Sequence, residues 1–216
     1  MKRITLLGTI LGAMVMFAAS CGGSFGSSSG NSGGHAKGNA PTTRENTMQA
    51  SYWPSINPSD FTTTIDNKYF PLKPGTTFVS RRKTKNTTER DVMSVTHSTK
   101  QIMGVKCVVV DDRVWAHAKL SEKTFDWYAQ DKNGIVWYFG ENSKEYKNGK
   151  VSTESSWEAG KDGAEPGVIM QAHPKVGQSY RQEYYKGSAE DMAKVLDLNG
   201  SVKVPYSSFN HVAKFA

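Results

Sequence analysis

Thr124-Phe125-Asp126-Trp127-Tyr128-Ala129-Gln130-Asp131-Lys132-Asn133-Gly134-Ile135-Val136-Trp137-Tyr138-Phe139-Gly140 reads as two strands and the turn between them. Phe125, Trp127 and Ala129 alternate with Asp126, Tyr128 and Gln130, and a period of two belongs to a strand. Asp131-Lys132-Asn133-Gly134 reverses the chain, because Asn and Gly tolerate the positive φ of a tight turn. Ile135, Trp137 and Phe139 then alternate on the return.

Working outward, the same grammar recurs. Residues 76–84 follow the turn signal Lys73-Pro74-Gly75, and residues 89–97, 105–112, 180–185 and 202–204 are further strands. Asn148-Gly149 and Asn199-Gly200 each mark a hairpin turn. Residues 188–198 alone have a weak helical character. Residues 208–215 close the chain as a strand with Phe209, His211, Ala213 and Phe215 on one face. The expected fold class is all-β: a single domain over residues 53–216, an antiparallel meander forming a curved sheet or half-barrel. No internal repeat of solenoid or propeller period is present.

The N-terminus has a different character. Lys2 and Arg3 precede an apolar run at residues 4–17, then Ala18-Ala19-Ser20, then Cys21. Charged, apolar, small is the order of a bacterial secretion signal, and Ala18-Ala19-Ser20-Cys21 resembles the lipobox of bacterial lipoproteins. The resemblance implies a signal peptide at 1–20 and diacylation of Cys21, which becomes the first mature residue. The run is too short for a bilayer span, which needs ~20 apolar residues. Residues 21–52 are dominated by Gly, Ser, Asn and Thr. Such a segment buries too little to offset its ordering entropy and reads as a disordered tether with a reach of ~30 Å. The expected location is the cell envelope, lipid-anchored; Gly22 after Cys21 favours the outer membrane in a host with two.

The chain carries 27 Lys and Arg against 20 Asp and Glu, and loss of Lys2 and Arg3 leaves 25 against 20. For an exported protein this surplus gives no argument for nucleic acid. Arg81-Arg82-Lys83-Thr84-Lys85 is the densest basic run. It suits anionic head groups beside the anchor, or a solvated edge strand protected from pairing by charge. With Cys21 lipidated, Cys107 has no disulfide partner, and Val105-Lys106-Cys107-Val108-Val109 reads as a buried, inert thiol.

Two constellations carry chemistry. Asp126, Trp127, Tyr128 and Tyr138 combine a carboxylate with aromatic faces, suited to stacking on a sugar or packing an acyl chain, or simply to sheet packing. The loop of residues 157–167 holds Glu158, Asp162 and Glu165 among glycines, donors for a hard cation such as calcium, although an acidic glycine-rich loop also serves as a solvated turn. Those three, with Asp126, Asp131 and Glu141, are also candidates for the acid and base of glycoside hydrolysis. His97, His117, His173 and His211 lack ligand spacing, and no Gly-x-Ser-x-Gly, P-loop or Rossmann glycine pattern occurs.

Several blocks carry a further likeness: residues 67–77 (NKYFPLKPGTT), 126–141 (DWYAQDKNGIVWYFGE), 156–160 (SWEAG) and 180–185 (YRQEYY). Over about residues 60–212 the chain resembles a family of bacterial exported proteins and lipoproteins of uncharacterised function. That resemblance implies no catalytic residues. It implies further strands beyond the equivalent of Val212, so that this sheet is expected to lack its last strands. The function expected from the whole is a membrane-anchored, non-catalytic binding or structural domain for an apolar or amphiphilic envelope ligand, without a cofactor. A carbohydrate-active enzyme or sugar-binding module is the alternative, and a calcium-stabilised adhesion domain is the third.

Overall fold

A computed structural model describes residues 52–85 and 87–216; Cys21, the signal and almost all of the tether lie outside the described residues. Among the described residues a single 3-10 turn (Pro58–Asp60) is followed only by strands: β1 (Phe61–Thr62), β2 (Thr77–Lys83), β3 (Thr88–Ile102), β4 (Val105–Ala116), β5 (Lys119–Asp131), β6 (Val136–Lys147), β7 (Lys150–Ser152), β8 (Trp157–Glu158), β9 (Gly167–Met170), β10 (Ser179–Arg181), β11 (Met192–Lys203) and β12 (Ser208–Phe215). Strands β2 to β7 form the antiparallel meander, β1 adds to β5, and β8 and β9 add to β6. A second sheet runs β10-β11-β12. The large sheet is open, not closed into a barrel, and one apolar cluster joins both sheets into a single domain.

Turn chemistry explains most connections. Asp131 Oδ1 accepts from the Asn133 and Ile135 N–H groups at 2.8 and 3.0 Å, and Oδ2 accepts from Trp137 Nε1 at 3.0 Å. Asn148 and Gly149 both take positive φ between β6 and β7, as a two-residue hairpin requires. The turns Met103-Gly104 and His117-Ala118 do the same with residues that carry little turn signal.

Two expectations are corrected here. Residues 188–198 are not helical: they enter β11, where Ala193 and Val195 are buried between exposed Met192 and Lys194, a period of two. Asn199-Gly200 is not a turn but lies in a bulge of β11, where the step from Asp197 to Gly200 faces the shorter step from Lys214 to Val212; β12 has its own extra residue next to it, His211, at φ 56°. The reversal falls instead at residues 204–207, where Pro205 presets the backbone and the Val204 N–H donates to the Ser207 carbonyl at 2.9 Å.

The pleat gives the large sheet two unlike faces. On the inner face cross-strand pairs align Met93 with Asp112, Asp112 with Thr124, Asp126 with Glu141, and Tyr128 with Tyr138. The outer face carries Arg81, Arg90 and Trp115 in one row and Arg113, Lys123 and Lys144 in another. A register shift in β6 brings Tyr138 and Glu141 onto the same face. Gly140 makes it with φ 125°, and a Cβ there would stand 2.3 Å from the Trp157 carbonyl oxygen, so β8 can lie against β6 only at a glycine. Cys107 is fully buried as expected, and burial pushes its thiol up to about 12.

Candidate functional site: an acidic inner face

Five carboxyl groups meet inside the fold: Asp91 from β3, Asp112 from β4, Asp126 from β5, Glu141 from β6, and Glu183 from the segment after β10. None is more than 6% exposed. Glu122 adjoins them, bonded by the Thr124 hydroxyl at 3.1 Å, and the same hydroxyl meets Ser143 at 2.9 Å. An aromatic wall stands beside the acids. Phe70 meets Tyr128 edge-on at 5.4 Å, Tyr128 stacks on Tyr138 at 4.8 Å, and Tyr138 meets Trp157 edge-on at 5.3 Å.

At the centre the Tyr138 hydroxyl lies 2.7 Å from Asp126 Oδ1 and 3.0 Å from Glu141 Oε2. A phenol has one hydrogen to donate, so one of these contacts is a hydrogen bond only when a carboxyl supplies the proton. Burial, and then mutual repulsion, holds Asp126 and Glu141 well above the usual carboxylate range: Glu141 acts on Asp126, and Glu183 on Glu141. Burial likewise raises Glu183 to about 8 and Glu122 to about 7. Asp112 is pushed up to about 8 by burial and then by its contact with Asp91. Two ionised carboxylates this close repel each other, so Asp112 keeps its proton beside Asp91.

Many of these oxygens still lack a partner: Asp91 Oδ1, both Asp112 oxygens, Asp126 Oδ2, Glu141 Oε1 and both Glu183 oxygens. One donor in the same state stands nearby: the Trp157 indole N–H faces Glu183, where it opposes the upward shift of that acid, but makes no hydrogen bond. The buried Tyr180 hydroxyl is unpartnered as well. Buried polar groups are ordinarily satisfied, so such a concentration sets these acids apart from ordinary core packing.

The structure brings together three of the four residues of the aromatic constellation. Asp126, Tyr128 and Tyr138 share the inner face, but as interior groups and not as an open stacking surface. Trp127 faces the other way, with the Lys100 ammonium 3.4 Å from its ring centre. Alternation requires this split, since Trp127 lies between Asp126 and Tyr128.

The acidic loop does not assemble a calcium cage. Glu158 is held by Lys100 at 2.7 Å and Lys161 at 2.9 Å; burial would raise its carboxyl, but the two lysines outweigh burial and hold it below its usual range. Asp162 is exposed at φ 52°, whereas Glu165 is buried with its N–H on the Tyr184 carbonyl at 2.8 Å. Among the described residues no group of three or more His, Cys, Asp and Glu is placed to hold a metal ion. Of the six carboxylates considered for hydrolysis, only Asp126 and Glu141 come together. Both are buried, and Asp131 is consumed by its turn.

Sequence reasoning missed Asp91, Asp112, Glu122 and Glu183, which lie in different strands and segments. A signal for the centre was present in Gly140, since a glycine inside a strand often marks a bulge, and a bulge moves Glu141 to the face of Tyr138. No helix among the described residues is long and apolar enough to cross a membrane. Compared with protein-family models, curated proteins and solved structures, the chain matches none of them.

Proposed function

We propose that the protein is a lipoprotein of the cell envelope, anchored through Cys21, whose β domain binds without catalysis an amphiphilic ligand bearing a compact organic cation. The single observation that carries this reading is the buried row of carboxyl oxygens without partners, from Asp112 through Asp126 and Glu141 to Glu183. Ammonium and guanidinium groups donate several hydrogen bonds at once and neutralise the charge that burial makes costly. The aromatic wall of Phe70, Tyr128, Tyr138 and Trp157 beside the acids supports the apolar part of such a ligand. The donors are spread across four strands and a loop, an arrangement better matched to an organic cation than to a chelated metal.

The acids hold protons when no cation is present, so cation binding must release them. Calorimetric titration with agmatine, n-butylamine, calcium chloride and a neutral oligosaccharide tests this. The expected result is saturable binding of the amines, tighter at about pH 8.5 than at about pH 6, with proton release seen as a buffer-dependent heat. Binding of the oligosaccharide alone would transfer the site to a sugar module. Amine binding that ignores pH would remove the carboxyl row from the ligand.

A further inference from the structure

The opposite face of the same sheet has its own chemistry. Arg81 of β2, Arg90 of β3 and Trp115 of β4 lie in direct register across the outer face, with the Arg90 guanidinium 5.1 Å from the Trp115 ring centre. With Thr88 and His117 they line a groove of about 490 Å³. Neither Arg81 nor Arg90 has an ion pair among the described residues. Glu89, next along β3, turns to the inner face and is held by Arg82 at 2.5 Å.

The meander also places the β2–β3, β4–β5 and β6–β7 turns at one end of the sheet. Exposed Lys83, Lys119, Lys147 and Lys150 stand at those turns. The groove therefore opens beside a basic edge, with an aromatic ring and exposed Val79 within the same surface.

We propose that this end of the domain docks on an anionic phospholipid surface, with one headgroup phosphate seated between Arg81 and Arg90. Two guanidinium forks side by side suit a phosphate oxygen pair better than a single lysine does. Trp115 sits where an amphipathic ring is favoured, at the level of the headgroups. The surrounding lysines add attraction that falls off within a Debye length, so they contribute only when the edge lies against the membrane. This surface is separate from the inner carboxyls and does not depend on what they bind.

The test uses the mature chain, residues 21–216, with Cys21→Ser, so that neither the signal nor an acyl group contributes, in co-sedimentation with vesicles. Vesicles of phosphatidylcholine alone are compared with vesicles in which about a third is phosphatidylglycerol. Each basic side chain at a membrane surface strengthens binding about fivefold, so Arg81→Gln with Arg90→Gln is expected to weaken binding to the anionic vesicles about 25-fold. Lys175→Gln with Lys194→Gln removes the same charge from the region of β10 and β11 and is expected to change binding less than about twofold. All four positions are exposed, and circular dichroism verifies folding of each variant. Equal weakening by both pairs, or equal binding of the parent chain to the two vesicle types, would overturn the proposal. So would tight calorimetric binding of inorganic phosphate that the Arg81/Arg90 pair abolishes while vesicle binding stays intact.

Discussion

Replacing Asp112 by Asn tests the acidic inner face through stability alone. Asp112 is 2% exposed, and its carboxyl is pushed from 3.8 to about 8, first by burial and then by Asp91. In the unfolded chain it loses its proton near pH 4, in the fold near pH 8. Between those values the folded state holds a proton that the unfolded chain has released. Stability therefore falls as pH rises through this window, and the loss is complete above about pH 8. At about 1.4 kcal/mol per pH unit the ceiling for this one group is ~6 kcal/mol. Asp91 shares the titration and relaxes when its neighbour changes, so the expected gain of Asp112→Asn is about 2–4 kcal/mol above pH 8. Below about pH 4 the gain vanishes, because the carboxyl is then protonated in both the folded and the unfolded chain. A domain of this size gains about 2–4 °C per kcal/mol, so the Tm difference should open from near zero to about 4–16 °C. Thermal unfolding by circular dichroism, parent against variant across that range, is the assay. Two curves that stay parallel in pH would refute the reasoning, because Asp112 would then ionise equally in both states.

Tyr138→Phe removes the hydroxyl shared by Asp126 and Glu141; a loss of about 2–4 kcal/mol in urea unfolding is expected, and a change below about 1 would show that neither acid relies on it. Gly140→Ala must displace β8, since its Cβ would meet the Trp157 carbonyl at 2.3 Å under a φ of 125°. A cost of about 3–5 kcal/mol is expected in the same assay, and a variant as stable as the parent would contradict the packing of β8 on β6. Lys100→Met takes away both the cation over Trp127 and one of the ion pairs of Glu158. The lysine and Glu158 are partly solvated although Trp127 is buried, so about 1 kcal/mol is expected, with a shift in tryptophan emission; unchanged emission would place the ammonium elsewhere in solution.

The legibility of this fold in its sequence follows the range of each signal. Local ones served well: the alternation around Trp127, Asp131-Lys132-Asn133-Gly134 as a turn, and Asn148-Gly149 as a hairpin. His117-Ala118 turns just as tightly with no residue that prefers positive φ, and Met103-Gly104 with only its glycine; pairing of the long strands on either side imposes φ 50° and 62° on the first and 48° on Met103. Asn199-Gly200 failed for the converse reason. Its turn preference lost to strand pairing with β12, which needed a bulge there and found its reversal at Pro205. The acidic site was half-visible. Asp126, Tyr128 and Tyr138 could be grouped by alternation, whereas Glu141 has the wrong parity until Gly140 inserts its bulge. Asp91, Asp112 and Glu183 reach the site only through pairing across the meander and the return of the second sheet, and nothing local encodes that.

One local pattern does reach across strands. Arg90-Asp91 on β3, Asp112-Arg113 on β4 and Glu122-Lys123 on β5 are neighbouring residues of opposite charge. The pleat separates each pair, sending the acid inward and the base outward. A slip of any one strand by a single residue would carry its base into the interior and its acid to the basic edge. Part of the slipped arrangement would gain ion pairs inside, so charge alone does not forbid it. The apolar residues do: Met93 and Val95 on β3 and Val110 and Val114 on β4 share the inner face with the acids and are each at most 4% exposed. Returning those four side chains to water would cost about 1.5–3 kcal/mol apiece. Apolar burial thus fixes the register, and the register holds the carboxyls together against their own repulsion. The acids weaken the fold wherever they ionise, and the sheet retains them at the same positions that place arginines on its other side. A sequence under selection for stability alone would put apolar residues at the inner positions, which is the physical ground for the binding role proposed for the inner face.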